Sequence, residues 1–142
     1  MTRDRGRLLA VDYGERRVGL AISDPMGIIA SPAGFIQRRA GKRPPVAELV
    51  RRAASLGALG FVVGLPLDEN GEDTERAVEV RWLAEELHRR TGLPVELVDE
   101  RYTTAAALRA IREMGGSTRN RKGEVDALAA TVLLQHALAR QT

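Results

Sequence analysis

The sequence predicts an α/β fold: a mixed five-stranded sheet, with three strands in an antiparallel meander, two more parallel to the first, and helices on both faces. Three observations lead there. Apolar, β-branched runs at Arg7–Val11, Arg16–Ser23 and Ile28–Ile36 follow one another too closely for helices to intervene. Two later apolar runs, Leu59–Val63 and Val95–Val98, each lie between segments of helical periodicity, the pattern of strands covered on both faces. Right-handed crossovers then set those later strands parallel to the first.

Each element has its own local reason. The first two strands are joined by Asp12-Tyr13-Gly14-Glu15, where Gly14 permits the positive φ of a hairpin turn. The basic stretch Arg38–Pro45 is loop chemistry, and Pro44-Pro45 is a helix entry. Val46, Leu49, Val50 and Ala53 recur at helical spacing up to Gly57, a left-handed cap. Ala77, Val80, Leu83, Ala84 and Leu87 form one stripe, predicting a helix over Thr74–Thr91 that Gly92 and Pro94 stop. Two further helices are predicted over Thr103–Met114 and Glu124–Arg140, separated by the loop Gly115–Gly123.

Composition narrows the classes. At 142 residues, 44% hydrophobic and 29% charged, the expectation is one folded domain over residues 1–142. The absence of cysteine excludes disulfide scaffolds and thiolate metal sites. The longest apolar runs are strand-sized, far short of the roughly 20 residues that a membrane helix needs, and the N-terminus has no h-region. A cytoplasmic protein is expected, with no membrane partner. The net charge of +3 is unevenly spread: both terminal stretches are basic and residues 65–100 are acidic. Lys42 and Lys122 are the only lysines beside the arginines, and guanidinium groups suit bidentate phosphate contacts. A polyanionic partner contacted through a basic face fits that distribution.

In α/β sheets functional groups gather at the carboxyl ends of parallel strands. There the sequence is acidic: Asp12 ends strand one, Glu100 follows strand five, and Asp126 opens the last helix among apolar neighbours. Singly, Asp12 could form an Asx turn, Glu100 could pair with Arg101, and Asp126 could complement the helix dipole. Jointly, three carboxylates brought together repel unless a cation compensates, and hard Mg²⁺ or Mn²⁺ takes such oxygen ligands. Two such ions roughly 3.5–4 Å apart can activate water and stabilise the leaving oxygen of a phosphodiester. Arg16 and Arg17 flank the Asp12 turn and Arg101 follows Glu100, so each could hold a backbone phosphate or pair with an acid. Tyr13 is the one aromatic expected near substrate. His88 and His136 lack helical zinc spacing and read as structural.

Four segments carry a resemblance: LLAVDYGERRVGLAISD, VVGLPL with a following NG, VDERYTT, and EVDALAATVLLQ. In this order and spacing, from about Leu8 to Leu138, the chain resembles the YqgF family of Holliday junction resolvases, also described as nucleases of precursor ribosomal RNA. The resemblance implies a ribonuclease H-like fold, Asp12, Glu100 and Asp126 as an acidic metal-binding triad, and a role for Thr103 or Thr104. Two positions depart from the more distant resolvases the family resembles. An acid that precedes the last one by three positions is here Gly123, and a glutamate at the end of the fourth strand is replaced by Gly64-Leu65-Pro66. The expected function is a Mg²⁺- or Mn²⁺-dependent endonuclease acting on precursor rRNA or branched DNA, as a monomer or homodimer. The alternative is a non-catalytic nucleic-acid-binding protein of the same fold. A third, weaker expectation is an ATPase, from the Asp12-x-Gly14 turn, although proteins with that turn clamp a nucleotide between two such domains and 142 residues supply one.

Overall fold

A computed structural model describes residues 6–38, 43–104, 108 and 122–140. Three strands open the chain: β1 (Arg7–Tyr13), β2 (Arg17–Ser23) and β3 (Ala30–Gln37). They are followed by α1 (Val46–Leu56), β4 (Ala58–Leu65), α2 (Glu75–Thr91) and β5 (Val95–Asp99). A 3₁₀ turn (Glu100–Tyr102) comes next, and α3 (Lys122–Ala139) closes the described chain. The sheet order is β3-β2-β1-β4-β5, with β1 antiparallel to β2, β2 antiparallel to β3, and the β1/β4 and β4/β5 pairs parallel. The predicted mixed sheet is therefore the observed one.

Strand alternation divides the core into two layers. Leu9, Val11, Tyr13, Val18, Leu20, Phe61 and Val63 face α1 and α2, packing on Leu49, Val80, Leu83 and Leu87. Ala10, Ala21, Val62 and Val98 face the other way, onto Ala129, Ala130, Leu133, Leu134 and Ala137 of α3. Capping follows the sequence signals. Thr74 Oγ1 accepts the Ala77 amide and caps α2, while Gly57 and Gly92 close α1 and α2 in the left-handed conformation.

Several boundaries differ from expectation by a residue or two, and three of them bear on the site or have a clear local cause. β1 runs on through Asp12 and Tyr13, because those residues stay paired to Gly19 and Val18. β3 begins at Ala30, not Ile28. The Asp24 carboxylate accepts the amides of Met26, Ile28 and Ile29, a local turn that outcompetes strand pairing and leaves both isoleucines 61% exposed. These bonds, led by the Ile29 amide, hold the Asp24 carboxyl below its usual pKa range. α3 begins at Lys122, so Gly123 lies within the helix instead of in the preceding loop. Most of the predicted helix Thr103–Met114 and of the loop Gly115–Gly123 falls outside the described residues. No helix among the described residues is long and apolar enough to cross a membrane.

Candidate active site

Three buried acids share the α3 face of the sheet. Asp12 is 1% exposed, Glu100 2% and Asp126 2%. Asp12 lies on β1 directly opposite Gly19 of β2, and residues opposite one another in an antiparallel pair project to the same face. A Cβ placed on Gly19 would lie 2.0 Å from the backbone carbonyl oxygen of Asp126 and 3.0 Å from its Cβ, so the first turns of α3 rest directly on β2 at this point. Glu100 arrives from the other side. A Cβ on Gly64 would lie 2.3 Å from Glu100 Oε1, so the glutamate reaches from the end of β5 over the bare backbone of β4.

The register sets all three at one level. Val11 pairs with Val63, so Asp12 and Gly64 are each one residue further along adjacent parallel strands. Asp126 thus stands over β2, Asp12 on β1 and Glu100 over β4, with Asp12 in the middle. Neighbouring strands are about 4.8 Å apart, so the row covers roughly two strand spacings. Among the described residues, no three histidine, aspartate or glutamate side chains converge closely enough to hold one metal ion together.

The basic residues beside the acids are differently placed than their sequence positions suggest. Arg17 turns inward. Its Nε donates to Asp126 Oδ2 at 2.8 Å, with the arginine side chain 12% exposed. Arg101 clamps Asp99, with Nε at 3.1 Å from both carboxylate oxygens and Nη2 at 2.7 Å from Oδ2. Those guanidinium bonds hold the Asp99 carboxyl below its ordinary range. Arg16 remains exposed at the rim of the hairpin. Thr103 donates from both its amide (3.0 Å) and its hydroxyl (3.2 Å) to the Glu100 carbonyl, closing the turn that carries the glutamate. Thr104 is exposed, and its carbonyl accepts the Leu108 amide.

Tyr13 is a correction. It was expected near substrate through adjacency to Asp12, but consecutive strand residues point to opposite faces, and Tyr13 packs among the α1 and α2 side chains. The Arg38 guanidinium sits 4.2 Å from its ring centroid, and its hydroxyl donates to Glu79 Oε2 at 3.4 Å. Burial, opposed by Arg38 and assisted by Glu79, pushes its pKa up to about 12. His88 bonds the Leu93 carbonyl at 2.8 Å, a tie across the end of α2.

Sequence reasoning did not single out Gly19, and it marked Gly64 only as standing where more distant resolvases carry a glutamate, not as the floor beneath Glu100. A glycine inside a strand pattern signals close approach by another group, and that signal was present at both. A cavity of about 600 Å³ beside Glu100 was also missed, since its walls, among them Pro66, Leu67, Thr74, Arg76 and Arg101, meet only in the folded chain.

The donor set fits a divalent ion. Buried carboxylate oxygens on one face are hard ligands of the kind Mg²⁺ and Mn²⁺ take. The row already accommodates one cation, the Arg17 guanidinium at Asp126.

Comparison with known proteins agrees with this architecture. A protein of Clavibacter sepedonicus named "Putative pre-16S rRNA nuclease" is 41% identical over 133 residues, spanning 94% of this chain and 83% of its own. One of the same name from Maridesulfovibrio salexigens is 40% identical over 134 residues, spanning 94% of this chain and 98% of its own. Among solved structures, Thermus thermophilus RuvC in complex with a Holliday junction substrate superposes with a TM-score of 0.57 at 15% identity, covering 96% of this chain and 95% of that one. That likeness is one of fold, and the fold is ribonuclease H-like. The sequence pattern of RuvX, described as Holliday junction resolvase, matches residues 6–140, and the chain belongs to that family, also called YqgF.

Proposed function

We propose that this chain is a divalent-metal-dependent endonuclease that hydrolyses phosphodiesters in structured nucleic acid, with precursor ribosomal RNA the first substrate to test and branched DNA the second. The observation that carries the reading is the row of three buried carboxylates, Asp126, Asp12 and Glu100, at one level on one face of the sheet. A hydrophobic core does not gather three acids unless positive charge joins them there.

In this reading Asp12 and Glu100 hold Mg²⁺ or Mn²⁺, with Asp126 completing the acidic row. The bound ion supplies Lewis acidity, activating water and offsetting charge on the phosphodiester. Thr103 fixes the turn that aims Glu100. Arg16, exposed at the rim, is positioned to meet a backbone phosphate of the incoming strand. The cavity beside Glu100 gives that strand room at the Glu100 end of the row.

The test is Asp12→Asn, which keeps the shape and removes the charge. Incubated with Mn²⁺ against unprocessed ribosomal RNA and four-way junction DNA, the wild type cuts at least one, and EDTA abolishes cutting. The variant loses activity by at least about a thousandfold while keeping its circular dichroism and its affinity for the uncut substrate. Cleavage by Asp12→Asn at the wild-type rate ends the assignment. The Arg17–Asp126 pair favours a second reading, a binding protein whose row is already compensated. In that case wild-type protein shifts nucleic acid in gels, salt-dependently, without metal-dependent products.

A further inference from the structure

Asp12 lies on a strand and Asp126 on a long helix, but Glu100 sits in a 3₁₀ turn of three residues. A turn that short has poor hydrogen-bond geometry of its own, and its neighbours supply the support. Asp99 and Arg101 close a ring around it. Asp99 Oδ1 accepts the Arg101 amide at 3.0 Å, and the Arg101 guanidinium returns to the same carboxylate through Nε and Nη2. The remaining nitrogen reaches out of the turn: Nη1 donates to the Glu69 carbonyl at 3.3 Å, on the loop that follows β4. There the guanidinium lies against Gly71, where a Cβ would come within 3.2 Å of Nη2 and φ is +80°. Space and backbone both call for glycine at that point.

The loop is itself tied down. Leu67 and Asp73 pair across it, the Asp68 amide donates to the Glu72 carbonyl, and Asp68 Oδ1 accepts the Asn70 and Glu72 amides at 2.8 and 2.9 Å. Arg81 of α2 grips Asp73, with Nε at 2.8 Å and Nη2 at 3.0 Å from its carboxylate oxygens. A continuous set of bonds thus runs from α2 through the loop to Arg101 and the turn of Glu100. A phosphate-binding role suits these residues poorly. Asp68, Glu69, Glu72 and Asp73 make the loop acidic, which repels a polyanion, and all three guanidinium nitrogens of Arg101 already donate to protein oxygens.

Resting on the nuclease reading above, we propose that the loop from Leu67 to Asp73 and the Asp99–Arg101 clasp form a brace that aims Glu100 at the metal. Asp68, Asp99 and Arg101 are then positioning residues, acting through the turn and not on the substrate. The Asp99–Arg101 pair is partly exposed and adds little to overall stability; its contribution is the orientation of a buried carboxylate.

The experiment compares the full chain with Asp99→Asn, Arg101→Lys, Asp68→Ala and, as a control, Glu69→Ala, which keeps the carbonyl that Arg101 uses. In metal-free protein, hydrogen exchange is followed at the Thr103 amide, which donates to the Glu100 carbonyl. It exchanges about tenfold faster in the first three variants, while amides of β1 and α2 keep their protection, which shows that the chain is folded. Mn²⁺ affinity and kcat each fall about tenfold in Asp99→Asn and Arg101→Lys and by less in Asp68→Ala, with KM and the affinity for uncut nucleic acid within a few-fold of wild type. Glu69→Ala matches the wild type throughout. The opposite pattern makes Arg101 a phosphate contact and overturns the proposal: Asp99→Asn, its guanidinium released, binds nucleic acid more tightly, and Arg101→Lys, its charge kept, cuts at the wild-type rate. Unchanged Thr103 exchange in all three variants also overturns it, and a wild type that cuts leaves the nuclease reading standing. A wild type that neither binds Mn²⁺ nor cuts overturns the nuclease reading and this proposal with it.

Discussion

The two faces of the sheet are built from different materials. On the α1/α2 face, Leu9, Val11, Tyr13, Leu20 and Phe61 meet Leu49, Leu83 and Leu87, and large side chains hold the helices at a distance. On the α3 face the groups are smaller on average: Ala10, Ala21, Val62 and Val98 meet Ala129, Ala130, Leu133, Leu134 and Ala137, with Gly19 under Asp126 and Gly64 under Glu100. Small residues let the helix and the 3₁₀ turn approach the strand backbones, and that approach brings polar groups into a dry layer. One face stabilises the sheet through apolar area, and the other uses closeness to assemble charged chemistry. Asp12 and Tyr13, adjacent in sequence, are divided between them.

Substitutions that move one face and not the other would break or sharpen this contrast. The largest effect is expected from Gly19→Ala. Its methyl group would enter the Asp126 backbone carbonyl, a group that cannot rotate away, so α3 must shift. Urea unfolding should show a loss of about 3 kcal/mol, and cleavage should fall with it. Next comes Leu83→Ala on the opposite face, where a fully buried side chain leaves a cavity in the large-residue layer. A stability loss of about 2–3 kcal/mol is expected by the same measurement, with cleavage per folded molecule unchanged. If that variant lost activity in proportion to Gly19→Ala, the faces would not be separable. Gly64→Ala should be the mildest for stability. Its methyl group meets the flexible end of Glu100 instead of backbone, so the carboxylate is pushed aside at a cost below about 1 kcal/mol. Cleavage should nevertheless fall roughly a hundredfold, since Glu100 loses its aim.

Much of the fold was legible because periodicity and punctuation are local. The Ala77-to-Leu87 stripe gave α2 with Thr74 as its cap, and Gly57 and Gly92 marked helix ends where left-handed backbone is needed. Local reading failed where a side chain competed for backbone amides. Ile28 and Ile29 look like strand, yet Asp24 bonds their amides and turns them out to solvent. It failed also where a strand outran its turn signal, which made Asp12 a strand end on paper and a paired, buried residue in the fold. For the candidate site, the acids themselves could be named from sequence, but not their order across the sheet or the fate of the arginines. Arg16 and Arg17 are neighbours with the same charge. One faces solvent and the other turns inward, partly buried, onto Asp126, because strand pairing begins at Arg17 and sends its side chain toward α3.

What the sequence by itself determined, among the described residues, is the strands and helices, their order and three acids at element ends, since these depend on residue spacing and turn chemistry within a few positions. Only the tertiary structure decided that Asp126, Asp12 and Glu100 form a row over three adjacent strands, that two glycines make room for it, and that Arg17 lies at one end. Those facts depend on strand register and on how closely a helix can approach a sheet, which are set by packing between segments more than a hundred residues apart.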